Sequence, residues 1–296
     1  MPDLSVIVPA VNTAEDLHGT LQALEAQRPD VDLEILVISR LAPSVGEDAA
    51  RAFPDLILVQ VSPGTTIPAM RIAGFDRATA GAIGVIEDHV IVPPGWARRM
   101  LDELEAGAEV VGGSVVNAAT ETTLDWAAFL CEYSHCLPPL NAGEVSWLTG
   151  NNVVYRRSLI ERYRNTLDDT AWENRLHDTI REGGTPLICR PDIVVGHRKH
   201  YTFGEYLSQR YLYARSYAGA RVAGASLPRR LVWGAAAALL PPLLFVRTVS
   251  RIRAKGVHRA ELFRSLPLLA IFVTSWGLGE GVGYVFGPGD SLSRVC

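Results

Sequence analysis

Cysteine is scarce: four residues (Cys131, Cys136, Cys189, Cys296) in a chain of 296 make no disulfide scaffold. None lies in a CxxC pair or at Cys/His zinc spacing, so a reduced, cytosolic setting is expected. There is no Gly-X-Y period, no heptad stretch and no internal repeat, which excludes fibrous and solenoid classes. A GxGxxG loop, a Walker loop, GxSxG and HExxH are all missing, so dinucleotide oxidoreductases, P-loop NTPases, serine hydrolases and zincins have no support. Met1-Pro2-Asp3 offers no basic n-region and Leu4–Pro9 is too short for an h-region, so no signal peptide is expected.

What is present is an apolar chain of uneven charge. It is 48% hydrophobic and 20% charged, with net charge −4 and mean hydropathy +0.13. Disorder is excluded by that mix. Residues 198–264 hold 13 Lys and Arg against 2 Asp and Glu, whereas residues 1–197 carry a net charge of −14. An acidic body joined to a basic, apolar tail points to a membrane surface rather than to nucleic acid.

The body alternates strands and helices. Leu4–Pro9, Leu33–Ile38, Leu56–Val61 and Ala82–Ile86 are short apolar runs of the kind buried on both faces. Leu17, Leu21 and Leu24 follow Thr13 at helical spacing, with Thr13 as the cap. Helices are also expected over 45–53, 67–80, 95–106 and 168–182, and further strands within 110–116, 148–156 and 187–197. This alternation predicts an α/β sheet with right-handed crossovers, whose ligands gather at the carboxyl ends of strands.

In the tail, 203–221 is helical and rich in Tyr and Arg. Residues 231–246 form an apolar run broken by Pro241-Pro242, and 266–286 a second one interrupted by Gly277, Gly279, Glu280, Gly281 and Gly283. The first is short for a span and the second broken. The basic linker 247–264 should stay cytoplasmic, so in-plane helices or a re-entrant hairpin are expected. The alternative is a soluble hairpin packed on the body or on a dimer partner. Glu280 needs a partner in such surroundings, and a linker Arg is the expected one.

The strongest chemical signal is Glu87-Asp88-His89 at the end of a buried strand. Hard carboxylate oxygens there can hold Mg²⁺ or Mn²⁺ against a diphosphate; a solvated acidic turn is the plainer meaning. Around it stand Ser5-Val-Ile-Val-Pro9-Ala10-Val11-Asn12, Gln27, Arg71-Ile-Ala-Gly74, Ala80-Gly81, Gly150-Asn151-Asn152 with Arg156-Arg157, and an acidic residue ahead of Gly184. In order and spacing these resemble family 2 glycosyltransferases over about residues 4–200, in a bacterial membrane-associated subgroup with Glu-Asp-His in place of the usual Asp-x-Asp.

The resemblance implies a GT-A fold: a mostly parallel α/β sheet flanked by helices over 1–200, with a hydrophobic helical appendage over 201–296. It implies an inverting, metal-dependent hexosyl transfer on the cytoplasmic face of the membrane, serving a cell-envelope polysaccharide. The partners would be a nucleotide-sugar donor, a lipid-linked or glycan acceptor, the membrane leaflet and a second copy, with no nucleic acid. Asp88 is implied as a metal ligand, with Glu87 on ribose or metal-bound water and His89 closing the turn. His197 sits where some relatives place another ligand, or is a loop histidine. Pro9, Ala10, Val11 and Arg71 would face the donor, Arg71 pairing with its phosphate unless it is a surface charge. Glu173 would be the base, or else a first-turn acid facing the helix dipole. Asp168 and Asp169 are its rivals, read as capping residues. Trp147, Gly150, Asn151, Asn152 and Trp172 would shape the acceptor side, or the Asn pair a plain turn. Val11 and Ser39-Arg40 depart from the aromatic and Asp that relatives use to read a uracil base. Gln209-Arg210-Tyr211 matches only part of an element of processive synthases, which favours single transfers. A nucleotidyltransferase, or a membrane-bound scaffold without activity, is the alternative.

Overall fold

The computed structural model describes residues 1–167 and 172–295. Asp168, Asp169, the start of the helix expected over 168–182, and Cys296 lie outside the described residues. The chain forms two compact units: residues 1–118 with 136–198, and residues 119–135 with 199–296.

The first unit is built on a nine-stranded sheet. Strands β1 (Leu4–Ala10), β2 (Leu33–Ser39), β3 (Leu56–Gln60) and β4 (Ala82–Val85) run parallel in the order β3-β2-β1-β4. All seven residues of β1 are buried, as a two-sided strand requires. Its single polar group is not orphaned: Ser5 Oγ donates to Glu34 and accepts from the Ala80 amide.

Beyond β4 the sheet is mixed. It continues through β8 (Val153–Arg156), β6 (Val110–Asn117), β9 (Leu187–His197) and β5 (Val90–Ile91), while β7 (Gly143–Val145) pairs with β9. β8 is antiparallel to both β4 and β6. Two- and three-residue strands such as β5 and β7 carry no readable period, which is why the sequence does not announce them.

Helices α1 (Ala14–Glu25), α2 (Pro43–Ala52), α3 (Ile67–Phe75) and α4 (Trp96–Glu105) link the strands. Thr13 caps α1, its Oγ1 accepting from the Asp16 amide at 3.1 Å, and Leu17, Leu21 and Leu24 are buried. α3 stops five residues before the expected end. The Thr79 and Ala80 amides donate to Glu34 and Ser5 instead of continuing a helix.

The division at residue 200 leaves α5 (Thr123–Tyr133) with the sheet. In the structure α5 belongs to the second unit, where Ala127 and Ala128 pack with Tyr206 and Phe272. Its capping box, Thr122 with Asp125, fixes where it starts. After α6 (Arg157–Arg162) and α7 (Glu173–Glu182), the second unit adds α8 (Phe203–Arg221), α9 (Leu227–Ala236), α10 (Leu240–Lys255) and α11 (Arg259–Phe286).

Two expectations about the tail are corrected. Pro241 and Pro242 do not break the first apolar run: they sit in the first turn of α10, where an amide hydrogen is not needed. A 3₁₀ turn, Ala237–Leu239, joins α9 to α10. The glycines do not interrupt the second run either, since α11 is continuous over 28 residues. A Cβ on Gly279 would lie 2.4 Å from the Tyr211 carbonyl oxygen, and one on Gly283 2.5 Å from that of Arg215. They are notches that let α8 close onto α11.

Glu280 is buried and satisfied. Trp276 Nε1 and Tyr284 OH donate to it at 2.8 Å each, and Arg221 of α8, not a linker Arg, pairs with it at 3.3 Å. The stretches 227–255 and 259–286 are both long and apolar enough to cross a membrane. Only 11% of the first stretch's apolar window is covered, against 44% of the second.

Candidate active site

The site grows from the carboxyl ends of β1 and β4. Asp88 follows β4 and is fully buried. Its Oδ2 accepts the amides of Val11 at 2.7 Å and Asn12 at 2.8 Å, and its Oδ1 lies 2.6 Å from Asn12 Nδ2 and 3.0 Å from His89 Nδ1. Both oxygens are thereby saturated. Burial works to raise its pKa, but the bonds from His89 and Asn12 outweigh it and hold it below the usual carboxylate value. Asp88 thereby holds the loop after β1 in place.

The neighbours of Asp88 face elsewhere. His89 Nε2 lies 2.9 Å from His197 Nε2, at the end of β9, and 3.4 Å from Glu87 Oε2. Burial alone would lower the His89 pKa, yet the hydrogen bonds to Asp88 and Glu87 raise it to about 9. Burial likewise disfavours the Glu87 anion, and the bond and charge of His89 more than reverse that. One donor atom each from Glu87, His89 and His197 lie within 4.8 Å of one another. With Nδ1 of His89 turned to a carboxylate and Nε2 turned to the cluster, the donor set suits a divalent ion with nitrogen and oxygen ligands.

Arg71, on the buried face of α3, joins this cluster to the base candidate. Its Nη1 donates to Glu173 Oε2 at 2.5 Å, its Nη2 is 4.0 Å from Glu87 Oε1, and Nη2 also donates to the Gly150 carbonyl at 3.3 Å. Burial works against the charged Arg71, and Glu173 and then Glu87 more than restore it. Glu173 is the first residue of α7. Gly150 passes so close that a Cβ there would lie 2.5 Å from Glu173 Cδ. Arg71, Gly150, Trp172 and Glu173 line one cavity with Pro68, Phe75, Tyr155 and Leu176.

The loop before β8 divides its labour. Asn151 Nδ2 donates to Glu87 at 3.0 Å, and its Oδ1 accepts from Thr149. Asn152 is turned into the core, contrary to its expected acceptor role: it accepts from Trp96 Nε1 and donates to the carbonyls of Ser114 and Ile193, each at 3.0 Å. All the bonding its amide offers in that direction is used in fastening β8, β6 and β9. Trp147 is half-buried at the head of this loop, while Trp172 is buried against the cavity. Pro9 and Ala10 are buried at the end of β1, and Val11 contributes its amide to Asp88. Arg40 Nη1 reaches the Thr65 carbonyl at 3.2 Å.

Asn12 and Tyr155 had no assigned role. Asn12 could have been singled out as an amide side chain directly after a buried strand and before a capping Thr. Tyr155 OH is 2.7 Å from His177 Nε2 beneath the cavity, and it reads as core from sequence. Burial lowers the His177 pKa to about 4.

The profile of the family described as Glycosyl transferase family 2 matches residues 5–164. No curated protein matches the chain. Among solved structures, the fold is similar to the mannosyltransferase PcManGT from Pyrobaculum calidifontis in complex with GDP-Man and Mn²⁺. The TM-score is 0.56 at 15% identity, over 94% of this chain and 87% of that one.

Proposed function

The chain belongs to glycosyl transferase family 2, and on that premise we propose that it moves a sugar, with inversion, from a nucleotide-sugar donor to a lipid-linked or membrane-proximal glycan acceptor. The observation that supports this is the reach of Arg71 between Glu87 and Glu173, which links the proposed cation-binding group to the proposed base through one guanidinium. The structural neighbour was solved with GDP-Man and Mn²⁺, which supports a donor of that chemical class.

Glu87, His89 and His197 would hold the divalent ion, and Asp88 would orient His89 rather than ligate. When bound, the ion neutralises charge growing on the departing nucleoside diphosphate. Two imidazole nitrogens in the set favour Mn²⁺ over Mg²⁺. Arg71 pairs with a donor phosphate, and a diphosphate entering the cleft competes with Glu173 for it. Glu173, freed from that ion pair, takes the proton of the acceptor hydroxyl as it attacks the anomeric carbon. Trp172 offers a flat apolar wall for a sugar face, and Asn151 steadies Glu87.

The exposed apolar surface of α9 and α10, which includes Leu231, Trp233, Leu243 and Val246, supports placing the enzyme at a membrane, and the basic run 247–264 favours the cytoplasmic face. The test uses the full purified chain with Mn²⁺ and a panel of nucleotide-sugars. Thermal stabilisation by one donor comes first, then sugar transfer or donor hydrolysis abolished by Glu173→Gln. Binding with no turnover under any acceptor overturns the catalytic reading and leaves a scaffold.

A further inference from the structure

Two helices carry the groups that meet in the cleft: α3 carries Arg71 and α7 carries Glu173. Four residues on, about one turn further along each helix, stand Phe75 and His177. Both touch the same side chain. The Tyr155 ring meets that of Phe75 edge to face, with centroids 6.2 Å apart. Its hydroxyl shares a hydrogen bond of 2.7 Å with His177 Nε2. Tyr155 and His177 are both buried, and Tyr155 lines the cavity that Arg71 and Glu173 also line. The ring thus bridges α3 and α7 one turn behind the Arg71–Glu173 ion pair.

The footing of this bridge is firm. Strand β8 is paired on both sides, and Tyr155 lies opposite Ile83 of β4 and Val110 of β6. The start of α7 is differently made. Trp172, at its N-cap, carries no side-chain oxygen to accept from the first-turn amides. The buried side chains of α7 are Leu176, His177 and Ile180, of which only His177 can make a directed bond. Leucine and isoleucine pack without direction, so the bond to Tyr155 fixes the rotation of α7 and with it the aim of Glu173. Burial raises the Tyr155 pKa and the Glu173 charge adds to it, so the phenol stays protonated. While Arg71 holds Glu173, their ion pair itself fixes the carboxylate. A donor diphosphate that takes Arg71 ends that hold, and α7 then depends on its own anchors.

We propose that Tyr155 is a positioning residue: through Phe75 and His177 it sets the spacing of α3 and α7, and so keeps Glu173 aimed at the acceptor hydroxyl once Arg71 has turned to the donor. This deepens, and rests on, the reading of Glu173 as the base. The experiment uses the full chain with Mn²⁺ and whichever of GDP-mannose, UDP-glucose and UDP-N-acetylglucosamine it turns over fastest. Tyr155→Phe keeps the ring against Phe75 and removes the hydrogen bond. Its kcat should fall about tenfold, part of the roughly hundredfold that a 1 Å misplacement costs, with donor KM changed less than about twofold. His177→Leu should match it, whereas His177→Gln, which gives the hydroxyl a partner again, should recover to within about threefold of wild type. In a Glu173→Gln background, Tyr155→Phe should change the residual rate less than about twofold, because it acts through the carboxylate.

A readout without substrate accompanies the kinetics. Amide hydrogen exchange over residues 174–182 should quicken about fivefold in Tyr155→Phe, as loss of one hydrogen bond predicts, while exchange in β1 and β2 stays as in wild type. An unchanged kcat in Tyr155→Phe, an equal loss in the Glu173→Gln background, a rise in donor KM as large as the fall in kcat, or unchanged exchange in α7 overturns the positioning role. A wild-type chain that turns over none of the donors strikes instead at the glycosyltransferase reading, while exchange in α7 still decides whether Tyr155 anchors the helix, so the two failures are distinguishable.

Discussion

His89 Nδ1 lies 3.0 Å from Asp88 Oδ1, and that bond turns the other ring nitrogen of His89 toward His197. Adjacent residues thus divide two tasks: Asp88 holds structure, and His89 is left facing the cluster.

Asp88→Asn and His197→Gln should therefore fail differently. Asp88→Asn replaces an acceptor oxygen with an amide group facing two backbone N–H donors, and is expected to destabilise the fold by about 3 kcal/mol. His197→Gln should leave thermal unfolding nearly unchanged and remove most Mn²⁺ affinity. Calorimetric titration of Mn²⁺ beside unfolding curves separates them. Equal Mn²⁺ affinity in His197→Gln and wild type would reject the ligand set.

Glu173→Gln should lower turnover by about 10²–10⁴-fold with donor binding kept, as for loss of a general base. Arg71→Gln should weaken donor binding as well, because its guanidinium faces Glu87 and Glu173 together. Single-turnover kinetics with separate donor titration read the split between KM and kcat.

Gly150→Ala tests geometry without touching a charge. The added methyl would stand 2.5 Å from Glu173 Cδ, so the carboxylate must move. A displacement of about 1 Å costs about a hundredfold in rate, and the unfolding midpoint should change little.

The buried His177 sets an acid limit on stability. Its pKa falls from an ordinary 6.5 to about 4 in the fold, so the unfolded chain takes up the proton first as pH drops. Stability is full above pH 6.5 and declines between 6.5 and 4, by about 3 kcal/mol in all. Denaturant unfolding at pH 7, 5.5 and 4.5 should show that decline, and His177→Gln should flatten it.

Glu280 gives a test inside the tail. Glu280→Leu removes the acceptor of Trp276 and Tyr284 and strands Arg221. The expected result is a loss of about 2 kcal/mol and a lowered unfolding midpoint, largely rescued by Glu280→Gln.

Much of the first unit could be read from residue pattern. The four apolar runs became β1 to β4; β1, β2 and β4 are buried as such runs require, whereas β3 lies at the sheet edge with only Leu56 buried, contrary to the two-sided burial expected of it. Thr13, Leu17 and Leu21 marked α1 for similarly local reasons. The meeting of Arg71 with Glu173, 102 positions apart, is not legible in the sequence, which offers Arg71 a donor phosphate instead, because long-range pairing depends on sheet order. The inward turn of Asp88 and Asn152 was hidden: an Asp that cages a loop and an Asp that grips an ion are the same letter. Glycine misled in the tail. In α11 it marks close helix approach rather than a break, a distinction that depends on what lies opposite.

The cage around Asp88 has a thermodynamic corollary. One carboxylate grips the peptide groups of Val11 and Asn12 and, through His89, the cluster with His197. Whatever tightens one side must stiffen the other, and by reciprocity the gain is equal in both directions. Occupancy by an ion and occupancy by a nucleotide should then be mutually reinforcing, so that neither ligand titrates with the same midpoint alone as in the presence of its companion.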